Sequence, residues 1–115
     1  MVVPSDFQRL RVYRLAVTLA DEIYESVARW PVGARASFGS QLIRAADSIG
    51  ANIAEASGRY HPADRRRLLV IARGSLHETE HWMNRAETRG VLPRGSTEQL
   101  EEIARLLNGL IKRPT

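Results

Sequence analysis

The chain has 115 residues, 43% of them hydrophobic, which suits one domain with a single core. It contains no cysteine, so disulfides, thiolate zinc sites and cysteine nucleophiles are excluded. The formal charge is +4, and every basic residue except Lys112 is arginine. Arginine suits bidentate contact with phosphate and thus an RNA or DNA partner, but the same bias follows from codon usage in a GC-rich genome. Met1 to Asp6 lack the basic-then-apolar run of a signal peptide, and no stretch is long and apolar enough to span a membrane. The expected compartment is the cytoplasm, with no membrane partner.

No run alternates with period two, and the valines and isoleucines fall at helical spacing. The first predicted helix runs from about Gln8 or Arg11 to Arg29, with Val12, Leu15, Ala16, Leu19, Ile23 and Val27 on one stripe; Trp30-Pro31-Val32-Gly33 ends it. The second covers about 37–57, with Leu42, Ala45, Ile49, Ile53 and Ala56 aligned and Gly58 as its stop. The third runs from Pro62 or Ala63 to Arg89, with Pro62 in the first turn and Gly90 closing it. Leu68, Leu69, Ala72, Leu76, Thr79, Met83 and Ala86 form its apolar side. The fourth, about 96–112, opens on a Ser96–Gln99 capping box and buries Leu100, Ile103, Leu107, Leu110 and Ile111. Short connections between four such helices predict an all-α fold, an antiparallel up-down-up-down four-helix bundle in one domain.

A polar line follows the second helix: Gln41, Arg44, Ser48, Asn52 and Glu55. Arg44 and Glu55 are eleven residues apart, as are Arg67 and Glu78, and eleven residues is nearly three turns. A tight reversal at Gly58 to Pro62 makes facing residues sum to roughly 122, pairing Arg44 with Glu78 and Glu55 with Arg67. Gly74 would then oppose Ser48 and allow close approach. We read this line as a partly buried seam that sets register, in preference to a pore or ligand groove.

The first two helices are apolar over more than one face. Tyr13, Val17 and Tyr24 widen the arc of the first, and Ile43, Gly50 and Ala54 that of the second. Such faces point to self-association.

Residues 77–81 read His-Glu-Thr-Glu-His, a literal H-E-x-x-H match in which His77 and His81 chelate zinc and Glu78 acts as base. The context is poor. Asn84 stands where a turning glycine would be needed, Glu87 lies on another face, and no strand is present to bind an extended peptide. A zinc metallopeptidase is therefore a remote alternative. There is no Gly-rich phosphate loop, no G-x-S-x-G elbow and no paired-carboxylate cleft, so neither a cofactor nor enzymatic activity is expected. The basic residues Arg59, Arg65, Arg66 and Arg73 are the candidate phosphate contacts, with Arg9, Arg11 and Arg14 a second cluster. No aromatic residue interleaves with them, so base stacking is not indicated.

Three ordered motifs carry a resemblance: residues 7–16 (FQRLRVYRLA), 41–55 (QLIRAADSIGANIAE) and 71–78 (IARGSLHE). Together they resemble the four-helix-bundle family of proteins encoded within intervening sequences of bacterial 23S rRNA genes. The resemblance implies a ring-like homo-oligomer, a pentamer, without enzymatic activity. It also implies kinship to accessory proteins of diversity-generating retroelements, basic barrels that bind a reverse transcriptase and nucleic acid. The family's polar positions correspond to Arg44, Ser48, Asn52, Glu55, Ser75 and Glu78; His77 and His81 are outside its pattern. The expected function is a non-enzymatic oligomeric binding module for structured RNA or DNA. The alternative is a protein-interaction scaffold that binds no nucleic acid.

Overall fold

The computed structural model describes residues 10–113. Phe7, Gln8 and Arg9, which enter the first predicted helix, the family motif and the second arginine cluster, lie outside them. Four long helices, α1 (Arg11–Ala28), α2 (Ser40–Ser57), α3 (Pro62–Thr88) and α4 (Leu100–Lys112), form an all-α fold, with no strand among the described residues. Consecutive helices pack on one another, and α4 also touches α1. Leu19 of α1, Leu42, Ile49 and Ile53 of α2, Met83 of α3 and Ile103 and Leu107 of α4 are the large side chains sealed in the shared core. Ala16, Ala46, Ala72 and Ala86 are sealed beside them. All but Ala46 belong to the predicted stripes defined by three-and-four spacing. No helix among the described residues is long and apolar enough to cross a membrane.

Local chemistry sets the helix ends. At the end of α3 the Val91 and Gly90 amides donate to the Ala86 and Glu87 carbonyls, and Gly90 adopts φ +78°. This is a Schellman stop, whose left-handed residue is cheapest as glycine. Gly58 ends α2 differently, in a right-handed conformation with φ −86°. Pro62 occupies the start of α3, where a missing amide costs nothing.

Two predicted boundaries need correction. Trp30-Pro31-Val32-Gly33 is not a linker reaching Ser37. Helical structure resumes at Val32–Ala34 and runs through a π-type segment, Arg35–Gly39, straight into α2. Trp30 is buried against Phe38, with ring centroids 5.3 Å apart, and the Arg35 guanidinium donates to the Ala28 carbonyl. Burial of the indole thus draws the chain back over the end of α1 at once. The capping box also fails. Ser96–Gln99 is a 3₁₀ turn in which no side chain caps a helix amide. Glu87 of α3 takes the Gly95 and Ser96 amides at 2.6 and 3.0 Å, while the Ser96 hydroxyl turns to the Pro93 carbonyl. A charged acceptor from a neighbouring helix outcompetes a local neutral one.

Candidate nucleic-acid interface

Along the α2–α3 seam, Arg44 Nη2 donates to Glu78 Oε2 at 2.7 Å and to Gln41 Oε1 at 2.8 Å, and Trp82 Nε1 donates to the same Glu78 oxygen at 3.2 Å. One turn on, the Ser75 hydroxyl donates to Ser48 Oγ at 2.9 Å, and Asn52 Nδ2 donates to the Ser48 carbonyl and hydroxyl. From Arg44–Glu78 to Ser48–Ser75 the contacts ascend along α2 and descend along α3. Ser75, not Gly74, faces Ser48; a methyl group at Gly74 would meet nothing within 4 Å.

The second predicted ion pair does not form. Glu55 takes Arg59 at 2.6 Å, four residues away, and exposed Arg67 has no ion-pair partner among the described residues. Arg59 begins the reversal and lies within a single turn of Glu55, so it reaches the carboxylate first. Ser48, Asn52 and Ser75 of the seam are half-buried, but its ion pair is not. The Arg44 and Glu78 side chains are 62% and 39% exposed, which makes this a surface pair with a coupling of about 0.2–1 kcal/mol. A double-mutant cycle of Arg44→Met and Glu78→Leu, measured by urea unfolding, is expected to return a coupling in that range. A value above about 3 kcal/mol would require the partly buried pair that helical spacing alone suggests.

His77 and His81 are exposed, Glu78 is engaged by Arg44 and Trp82, and Glu87 holds the α3–α4 loop. Among the described residues no three His, Asp or Glu side chains converge as metal ligands.

The candidate phosphate contacts separate into two places. Arg59, Arg65 and Arg66 gather where α2 turns into α3. Arg65 Nη1 donates to both the Arg59 and Tyr60 carbonyls at 3.0 Å, and Arg66 Nε donates to the Ile111 carbonyl at 3.3 Å. Arg73, two turns along α3, is half-buried and donates to Asn108 Oδ1 of α4 at 3.0 Å. Of the second cluster, Arg11 pairs with Glu102 at 2.6 Å.

A cleft of about 350 Å³ opens at the α2–α3 turn. Ile53, Ala56, Leu69 and Leu110 contribute apolar walls, and Arg65, Arg66 and Arg113 are its charged residues; among the described residues no carboxylate lines it. Sequence reading missed Arg113, although opposite directions for α3 and α4 would have brought the end of one beside the start of the other. It also missed Tyr60. This residue stands 88% exposed in the turn between Arg59 and Arg65, so an aromatic does accompany the arginines.

On the other side of α2, Tyr13, Val17, Gly50 and Ala54 line a shallow trough of about 290 Å³ between α1 and α2. Ile43 instead packs against the core, and Tyr24, 63% exposed, is not among the trough's walls.

A family model for the 23S rRNA-intervening sequence protein matches residues 8–113. Among solved structures, the chain is similar to a protein with unknown function from the S23 ribosomal protein family of Bacteroides thetaiotaomicron. The two share 27% identity over 89% of this chain and 99% of that one, with a TM-score of 0.76. No curated protein matches. The chain belongs to the family of 23S rRNA-intervening sequence proteins.

Proposed function

We propose that the protein is a non-enzymatic, oligomeric binding module that takes phosphates of structured RNA or DNA at the end of the molecule where α2 turns into α3. One observation carries this reading: Arg65, Arg66 and Arg113 converge on a cleft that, among the described residues, no carboxylate lines. The two carbonyl contacts of Arg65 Nη1 restrain its guanidinium while leaving Nε and Nη2 for a bidentate acceptor. Arg59 belongs to the same end, restrained by Glu55. Arg73 is a strut to α4 in this reading, not a phosphate contact.

The helices form an antiparallel up-down-up-down bundle in this proposal. Its support is that Leu10, Ile53, Pro62 and Leu110 share one cleft, while Ser26, Leu42, Met83 and Gln99 share another. The trough between α1 and α2, apolar along its floor and flanked by Asp21 and Asp47, is the surface assigned to sister subunits, in the five-membered ring that the family resemblance implies. The working compartment is the cytoplasm, and a reverse transcriptase is the protein partner suggested by the same kinship.

Titration of a fluorescent RNA hairpin over a range of salt concentrations tests the phosphate reading. Binding is expected to weaken steeply with salt. The slope of log K against log salt should flatten by roughly 2 to 3 in the Arg65→Gln, Arg66→Gln, Arg113→Gln triple variant, about 0.7–0.9 for each phosphate that is no longer neutralised. An unchanged slope, or no salt-sensitive binding by the wild type, would overturn it.

A further inference from the structure

Tyr60 is the most exposed large apolar side chain among the described residues, 88% accessible at the tip of the α2–α3 turn. Single exposed tyrosines are common and ordinarily mean nothing. This one differs in how its backbone is held and in what surrounds it. Arg65 Nη1 bridges the carbonyls of Arg59 and Tyr60, each at 3.0 Å, so the tip is braced by a guanidinium from the first turn of α3. The His61 ring stands edge-on to the Tyr60 ring, with centroids 5.3 Å apart and planes at 88°. A tip whose backbone is already held loses less freedom when something stacks on its ring.

The charge around the tip selects the partner. Arg65 is hydrogen-bonded to the Tyr60 carbonyl, and Arg66 and Arg113 join it at the adjoining cleft. Arg59, the residue before Tyr60, already has Glu55 as its counter-ion. An aromatic face beside guanidinium groups that have no ion-pair partner among the described residues matches a base joined to its phosphates. In a continuous duplex the base faces are hidden in the stack, and a tyrosine at a turn cannot reach them. An unpaired nucleotide presents both the face and the phosphates.

We infer that Tyr60 is a stacking platform, and that the nucleic acid this protein recognises offers an unpaired base in a loop, bulge or free end. The inference rests on the phosphate-binding reading given above and names the class of strand that site takes.

The test uses the full chain and two labelled RNA probes of equal charge, one a hairpin with an unpaired loop and the other a blunt duplex. Fluorescence anisotropy is recorded at low salt for the wild type, Tyr60→Ala and Tyr60→Trp. Tyr60→Ala should weaken hairpin binding about tenfold or more and leave duplex binding unchanged, while Tyr60→Trp binds the hairpin at least as tightly as the wild type. Melting temperatures should be the same for all three proteins, because Tyr60 lies outside the core. If Tyr60→Ala binds the hairpin like the wild type, while the triple arginine variant loses affinity, the stacking role is wrong and the phosphate reading stands. Equal weakening on both probes also overturns stacking. If the wild type binds neither probe, both readings fall and the aromatic tip is a contact for a protein.

Discussion

Alanine at Gly39 is expected to lower the melting temperature, whereas alanine at Gly74 should raise it. Both glycines lie in helical segments, and sequence alone ranks both changes as improvements, because Gly to Ala gains up to about 1 kcal/mol in a helix. The surroundings separate them. A β-carbon on Gly39 would sit 2.8 Å from Val27 Cγ1, 3.1 Å from the Ala34 carbonyl oxygen and 3.3 Å from Trp30 Cε3. Val27 and Trp30 are both buried, so neither can withdraw freely. Overpacking of this kind costs about 1–3 kcal/mol. After the helical gain, the net loss is about 1–2 kcal/mol, a fall on the order of 5–10 °C for a domain of this size. At Gly74 nothing lies within 4 Å, and the full helical gain of about 0.5–1 kcal/mol should appear as a rise of a few degrees. Thermal unfolding followed by circular dichroism measures both. A Gly39→Ala protein that melts above the wild type would mean that the start of α2 does not rest on the end of α1.

The second large effect concerns assembly. Ala54 is half-buried and opens onto the trough beside Gly50 and Val17. In a single chain a glutamate there can extend into water, so the fold should survive Ala54→Glu. Between sister subunits the same carboxylate would lose water and add to the negative charge of Asp21 and Asp47, with no cation among the trough's lining residues to pair with it, at a cost of about 3–5 kcal/mol for each copy. Light scattering is expected to give a multiple of 12.9 kDa for the wild type and a single-chain mass for the variant. A wild-type monomer at high concentration, or a variant with the parental mass, would remove this face from the interface.

Where the seam departs from its expected pairing, the departures share a cause. Arg44 with Glu78 was legible because it requires only helical spacing and an antiparallel partner. Glu55 with Arg67 obeyed the same arithmetic, yet Arg59 enters the turn closer to the carboxylate and takes it. Ser75 stands in place of Gly74 opposite Ser48, one residue from the estimated sum that Arg44 and Glu78 keep. The Ser96 capping box was sound as local chemistry, but Glu87 reaches the Ser96 amide from the preceding helix. In the candidate site, Arg59, Arg65 and Arg66 were recognisable as basic residues, while Arg73 bonded to Asn108, Arg113 at the cleft and Tyr60 raised into solvent were not.

The order of residues along the chain determined that it folds into four helices, which stripe each one buries and where glycine and proline end or begin them. Those outcomes depend on interactions within a few turns of one segment, and periodicity records them directly. Only the tertiary structure decided which acceptor each arginine and each free amide obtains, and which glycine is crowded. These choices are competitions between groups distant in sequence, and they turn on differences of an ångström or two that side-chain spacing along a single helix does not encode.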